Sequence, residues 1–298
     1  MQVTKLTPLG YCHGVIKAIE TAKKASQNEK KPIYILGSII HNRFIVEAFN
    51  NLGCITLDDK GKTRLELLDE IDEGTVIFTA HGVSPIVYQK AQKKGLNVID
   101  ATCRDVLKIH ESYQKYLSLG YTCLYIGQKN HPEVEGVLGI DEKIILIEKK
   151  EDLEKIKDGN IYISNQTTLS LSDVSNIYDY AKIIFTNPII DNERCHATTN
   201  RQKALLNNNS DLCYIIGDKK SSNTKKLFEV SSKYVKTIMI ENVMDINPLD
   251  LKEIKHVSIS AGASTPKEII DDCFTYLQQF DFNNPKTHGN RKYPEVKL

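Results

Sequence analysis

Three cysteines set the chemical question. Cys12, Cys103 and Cys195 lie 91 and 92 residues apart. Each stands at the start of a helical pattern: Cys12 before His13-Gly-Val-Ile-Lys-Ala-Ile-Glu-Thr-Ala, Cys103 before Val106, Leu107, His110, Tyr113 and Leu117, and Cys195 before His196-Ala-Thr-Thr-Asn-Arg-Gln. A thiol in the first turn of a helix meets unpaired backbone N–H groups and the positive end of the dipole. That setting favours thiolate, the form that attacks electrophiles and ligates metals. One such cysteine says little, because inert buried cysteines are common. Three in matching contexts at near-equal spacing predict an internal repeat. Three thiolates do not close a tetrahedral zinc site, and the chain has no Cys-x-x-Cys pair. An iron–sulfur cubane held by three cysteines would leave one iron open to substrate, four thiolates being the usual set. The residues alone do not choose the metal.

A second set of polar residues sits where strand patterns run into helix patterns. It comprises His41, His81, His131, Thr167, Ser221, Ser222, Asn223 and Ser264, with Glu133 beside His131. Helix N-termini attract phosphate, and neutral donors there can grip a diphosphate without arginine. Ser, Thr and Asn are also ordinary caps and turn formers; it is their repetition in register that favours binding. Glu133 either complements a helix dipole or carries a proton. Glu135, two residues on, is the same chemistry with a different facing. Lys219 and Lys220 read as a solvated pair.

The elements that must position these residues alternate. Strand patterns at 32–37, 75–79, 96–99, 122–127, 160–164, 212–217 and 256–260 are separated by amphipathic helical stretches. This alternation predicts α/β layers with parallel sheets. In such sheets ligands bind at the carboxyl ends of strands. Three units facing one axis would bring all nine corners to one cavity. The units are placed at 13–103, 104–194 and 195–281, with 1–12 leading into the centre. Ser84 and Pro85 suit an N-cap and a first helical residue. Thr265, Pro266 and Glu268 suit a capping box. A polar tail, 282–298, is expected to be loose.

Composition is that of an ordinary globular chain, 41% hydrophobic and 26% charged over 298 residues. The net charge of +1 implies no broad nucleic-acid or membrane field. No apolar run approaches the ~20 residues that span a bilayer, and the N-terminus lacks a signal-peptide core. A cytoplasmic location with reduced thiols follows. Cys54, Cys123 and Cys213 fall within or beside apolar strand runs and Cys273 in a late helix, so these four are expected to be packed core thiols.

Taken in order, the segments Gly10-Tyr-Cys12-His-Gly-Val, His41-Asn-Arg, Ala80-His81-Gly-Val-Ser, Asp100-Ala-Thr-Cys103, His131-Pro-Glu133-Val-Glu-Gly, Gln166-Thr167-Thr168-Leu-Ser, Cys195-His-Ala-Thr-Thr-Asn-Arg-Gln, Ser221-Ser-Asn223 and Ala261-Gly-Ala-Ser264 closely resemble the 4-hydroxy-3-methylbut-2-enyl diphosphate reductases. The resemblance implies a trefoil of three α/β units around a central 4Fe–4S cluster, with Cys12, Cys103 and Cys195 as its ligands and the fourth iron open to the substrate's hydroxyl oxygen. It also implies that His41, His81, His131, Ser221, Ser222, Asn223 and Ser264 hold the diphosphate. Thr167 would meet the hydroxyl end and Glu133 would deliver protons. Reduced ferredoxin or flavodoxin would supply electrons singly, and two electrons with two protons would yield isopentenyl and dimethylallyl diphosphates. Arg104 departs from the family's usual proline and removes a preset first-turn φ. His13 and His196 stay outside the ligand set. Quinolinate synthase also has three α/β units and three cysteines but lacks the His-Pro-Glu, Ser-Ser-Asn and Cys-x-Ala-Thr combination. A non-catalytic redox sensor would need the thiols but not the phosphate-type corners.

Overall fold

The computed structural model describes every residue except Lys60 and residues 192–194, and at Leu171 the backbone only. Glu193 and Arg194, which precede the third cysteine, therefore lie outside the described residues. In chain order the elements are β1 (Gln2–Lys5), α1 (His13–Asn28), β2 (Ile33–Leu36), α2 (Arg43–Asn51), β3 (Cys54–Leu57), α3 (Arg64–Leu67), β4 (Thr75–Phe78), α4 (Pro85–Lys93) and β5 (Asn97–Asp100). There follow α5 (Arg104–Ser118), β6 (Thr122–Ile126), α6 (Pro132–Leu138), β7 (Ile145–Ile147), β8 (Ile161–Asn165), α7 (Leu171–Ile184) and β9 (Ile189–Ile190). The last are α8 (His196–Leu206), β10 (Leu212–Ile216), α9 (Ser222–Ser231), β11 (Thr237–Ile240), β12 (His256–Ala261) and α10 (Lys267–Gln279).

The strands form three four-stranded sheets, ordered β3-β2-β4-β5, β7-β6-β8-β9 and β1-β12-β10-β11, and every pairing is parallel. The fold class is therefore α/β, as the alternation predicted. Parallel strands are covered on both faces by their crossover helices, so their sequences are continuous apolar runs. Leu-Cys-Tyr-Ile-Ile in β10 is buried at every position. Ser84 and Pro85 take the N-cap and first helical positions of α4 as expected, although Ser84 makes no side-chain cap bond.

The three sheets share one topology. In the first two, the first strand in chain order lies between the second and the third, and the fourth lies outside the third; β10, β11 and β12 repeat the order of the first three. In the third sheet the fourth position is filled by β1, the first strand of the chain. The direction of progression reverses between first and third strands, which is where open α/β sheets bind ligands.

The chain folds into two compact units. One comprises Met1–Val15, His41–Ala48 and His196–Leu298 and contains the sheet with β1. The other comprises Ile16–Ile40 and Phe49–Cys195 and contains the remaining two sheets.

Two local expectations are corrected. Thr265 does not cap α10: Pro266 holds the N-cap position, and the Thr265 hydroxyl donates instead to Ile216 O at 3.0 Å. Ile216 O, at the end of β10, accepts from both the Gly262 N–H at 2.9 Å and this hydroxyl. Nor is the tail loose. Arg291 Nη1 donates to Ile246 O at 2.6 Å, the Phe280 and His288 rings stack with centroids 4.8 Å apart, Tyr293 packs on Phe44 at 5.6 Å, and Val296 joins the apolar core. A few aromatic and aliphatic side chains in a polar segment suffice to dock it.

Candidate functional site

The shared topology sorts the expected site residues into three kinds of corner. After the first strand of each sheet come His41 (β2), His131 with Glu133 (β6), and Ser221 to Asn223 (β10). After the third strand come His81 (β4), Thr167 (β8) and Ser264 (β12). After the fourth strand come Cys103 (β5), Cys195 (β9) and Cys12 (β1). Every expected site residue thus follows the carboxyl end of a strand. The cysteines stand immediately before α1, α5 and α8, and Cys103 is the N-cap of α5. That helix starts at Arg104 without a proline, and the Arg104 side chain is exposed.

The other four thiols differ. Cys54, Cys123, Cys213 and Cys273 are buried. Burial pushes all four up from the ordinary thiol value, Cys123 to about 11. They behave as core residues, as their strand and helix settings predicted.

In the two-sheet unit, Glu133 is the second residue of α6 and only 2% exposed. Its Oε1 accepts from Tyr125 OH at 2.9 Å and from the Thr167 backbone N–H at 2.9 Å. Its Oε2 accepts from the Thr167 hydroxyl at 2.8 Å. Burial drives the Glu133 carboxyl above the usual carboxylate range, while these three donors pull against it. The net direction is upward, so Glu133 holds its proton more tightly than an exposed glutamate, with the Thr167 hydroxyl in contact. His131 caps α6, its Nδ1 accepting from Glu133 N–H at 3.1 Å, so Nε2 carries the ring proton in the neutral form. The His81 ring meets the His131 ring edge-to-face at 5.9 Å. Gly82, at φ +76°, lets that loop close: a Cβ there would come 3.0 Å from Val106 Cγ1 and 3.2 Å from Thr102 Cγ2.

Glu135 faces elsewhere, as expected, but not solvent. Its Oε1 accepts from Arg64 N–H at 2.7 Å and its Oε2 from Arg64 Nη1 at 2.8 Å. The pair ties α6 to α3. Sequence reading missed Arg64, whose partner lies 71 residues away. It also missed Tyr125, which reads as one more apolar residue of β6; a tyrosine inside an otherwise aliphatic strand is the signal that a buried hydroxyl needs a partner.

In the other unit, Ser221 caps α9 by accepting from Thr224 N–H at 3.3 Å, so its hydroxyl has the capping role that its residue type suggests. The Ser264 hydroxyl donates to His41 O at 3.0 Å, and Cys12 N–H donates to Ala263 O at 3.2 Å, which joins the Cys12, His41 and Ser264 stretches. Buried Arg201 donates to Gly10 O at 2.6 Å and holds the chain just before Cys12. Asn223 is different: it is 6% exposed, and among the described residues neither its amide nitrogen nor its amide oxygen has a partner. Such a group is costly unless a ligand satisfies it. Lys219 and Lys220 are exposed.

Comparison with known proteins gives a consistent picture. The sequence model of the family described as "LytB protein" matches residues 3–278. The chain is 43% identical to the 4-hydroxy-3-methylbut-2-enyl diphosphate reductase of Anoxybacillus flavithermus, covering 100% of this chain and 97% of the relative. It is 44% identical to the reductase of the same name from Bacillus cytotoxicus, covering 98% and 95%. Among solved structures, the E-1-hydroxy-2-methyl-but-2-enyl-4-diphosphate reductase of Plasmodium falciparum matches with a TM-score of 0.87 at 31% identity, over 95% of this chain and 89% of that one. A structure described as (E)-4-hydroxy-3-methyl-but-2-enyl diphosphate reductase, the terminal enzyme of the non-mevalonate pathway, matches with a TM-score of 0.68 at 34% identity, over 94% and 100%. Among the described residues no helix is long and apolar enough to cross a membrane.

Proposed function

The chain belongs to the LytB protein family, and on that premise we propose that it reduces (E)-4-hydroxy-3-methylbut-2-enyl diphosphate to isopentenyl and dimethylallyl diphosphates, the terminal step of the non-mevalonate route. Two electrons and two protons enter, and the hydroxyl leaves as water. The observation that carries this reading is the corner pattern: in each of three like sheets the fourth strand leads to a cysteine at a helix start. Cys12, Cys103 and Cys195 are the residues that would hold a 4Fe–4S cluster, and the donor set fits it, three soft thiols with one coordination position left for substrate. When bound, the cluster supplies one-electron reduction and a Lewis-acidic iron for the substrate's hydroxyl oxygen.

The remaining work falls to the protein. His41, His81, His131, Ser221, Ser222, Asn223 and Ser264 bind the diphosphate; the unpaired amide of Asn223 supports its part in this set. Thr167 orients the hydroxyl end, and Glu133 holds the proton that passes through the Thr167 hydroxyl. The division at 13–103, 104–194 and 195–281, with 1–12 leading to the centre, belongs to the same reading, as does the trefoil. A ferredoxin or flavodoxin supplies electrons in the cytoplasm.

Anaerobic purification with iron and sulfide analysis tests the assignment. Cys12→Ser, Cys103→Ser and Cys195→Ser each lose the cluster, whereas Cys213→Ser keeps it. Normal iron content in any of the first three removes that residue from the ligand set, and zinc without diphosphate binding points to a sensor instead.

A further inference from the structure

Glu133 is held by more than Thr167. Tyr125 leaves β6 with its ring fully buried and its hydroxyl directed at Glu133 Oε1, 2.9 Å away. The ring itself is fixed. Tyr113 packs against it edge-on with centroids 5.6 Å apart, and Tyr113 is anchored by its own hydroxyl donating to Leu124 O at 2.6 Å. Gly127 leaves the room: a Cβ there would lie 2.5 Å from Val134 Cγ2 and 3.4 Å from Tyr125 Cε1. The position of the Tyr125 hydroxyl is therefore set by packing, independently of Glu133.

The consequence lies in how the two carboxyl oxygens differ. Among the described residues Oε1 accepts two hydrogen bonds, from Tyr125 OH and Thr167 N–H, while Oε2 accepts one, from the Thr167 hydroxyl. A proton on Oε1 would have to displace one of two buried donors, at the cost of leaving it unpaired. A proton on Oε2 needs only that the Thr167 hydroxyl rotate from donor to acceptor.

We propose that Tyr125 is a positioning residue for Glu133: its phenol, together with the Thr167 N–H, occupies Oε1 and so makes Oε2 the oxygen that exchanges a proton with the Thr167 hydroxyl. This rests on the reading of Glu133 as proton carrier. In the transfer, the Oε2 proton moves to Thr167 Oγ1 as the proton already on Oγ1 moves on to the substrate's hydroxyl oxygen. Thr167 ends unchanged and Glu133 ends as carboxylate. The ionisable groups that bear on Glu133 are Tyr125 on β6, Asp105 on α5 and His131 at the head of its own helix; Asp105 raises its affinity for the proton and Tyr125 lowers it.

Tyr125→Phe removes the hydroxyl and keeps the ring. Infrared titration of the anaerobically purified full-length protein follows the carboxyl stretch that is lost in Glu133→Gln. The midpoint should rise by about 0.5–1 pH unit in Tyr125→Phe, since a hydrogen bond to the charged form is gone. Fluorotyrosine at position 125, a stronger donor on the same ring, should move it the other way. Turnover with a chemical one-electron donor should fall about 5–10-fold in Tyr125→Phe, with KM within twofold of wild type and the alkaline limb displaced upward. A merely structural role would alter stability or KM and leave that limb in place. An unchanged infrared midpoint in both variants overturns the proposal whatever the turnover. If instead Glu133→Gln turns over normally while the midpoints move as expected, Tyr125 still orients Glu133 and it is the proton-carrier reading that fails.

Discussion

The corners after β6 and β10 occupy the same place in two sheets of the same topology, yet they treat their key polar side chain in opposite ways. After β6, Glu133 has a partner at each carboxyl oxygen, three donors in all from two residues. After β10, Asn223 is nearly as buried, and among the described residues its amide has none. A group whose protein partners are complete is positioned before any ligand arrives, which suits an acid that must be aimed. A group without protein partners carries a desolvation cost that a ligand or an ordered water can offset, which suits a binder. The difference sets a fully partnered corner apart from an unpartnered one, the contrast expected under the roles proposed for Glu133 and Asn223.

The largest effect that would break this contrast is catalytic. Glu133→Gln keeps shape and most hydrogen bonds but carries no proton, so turnover should fall at least ~100-fold with iron content and substrate affinity retained. Normal turnover with a full cluster would place the proton route elsewhere. Next in size is affinity. Asn223→Ala should weaken binding of substrate and of inorganic diphosphate alike by about 1–3 kcal/mol, measured by calorimetry under anaerobic conditions. The ligand-free protein should unfold no earlier than wild type, because no protein bond is lost. A large drop in its midpoint with unchanged affinity would make Asn223 a structural residue. Ser264→Ala should show the weaker affinity together with some loss of stability, since its hydroxyl already serves His41 O.

Smaller still is the effect at Glu135. Its activity as Glu135→Gln should stay close to wild type, but the ion pair with Arg64 is half-neutralised. With Glu135 30% exposed and Arg64 9%, a loss of about 1 kcal/mol is expected, well short of a fully buried pair. Urea unfolding at neutral pH measures it; an activity loss as large as that of Glu133→Gln would mean α6 is not rigid enough to keep the two carboxylates separate. The smallest effect is a pH trend. Because the folded state holds the Glu133 proton more tightly than the unfolded chain does, its stabilising contribution is full below the unfolded value and disappears as pH rises through the folded one. The stability of wild type relative to Glu133→Gln should therefore decline as pH rises above the ordinary glutamate range. A flat difference would mean the carboxyl is not perturbed.

Much of this was legible in the chain, for identifiable reasons. Stretches such as residues 123–126 and Leu212–Ile216 are uninterrupted apolar runs, and parallel sheets demand such runs. Helix starts after Cys12, Cys103 and Cys195 follow from local patterning. Edge strands were harder: β9 is two residues long, with both residues half-buried, and β1 is assigned to its sheet only by a partner at the far end of the chain. Tyr125 and Arg64 escaped because a hydrogen bond across elements leaves no periodicity. Thr265 had the composition of a cap and was claimed by a buried carbonyl instead.

The placement of β1 has a consequence for how the molecule is made. Thr4 Oγ1 hydrogen-bonds His256 Nε2 across 252 residues of sequence. β1 must therefore remain unpaired until β12, 252 residues later, has emerged. The other two sheets can close from sequence-local strands while synthesis continues, at ~5–20 residues per second. The third sheet waits for β12, so Cys12 follows a strand that is still unpaired when the strands before Cys103 and Cys195 already have their partners available. Until β1 pairs with it, the edge of β12 offers a free template to any strand that reaches it first.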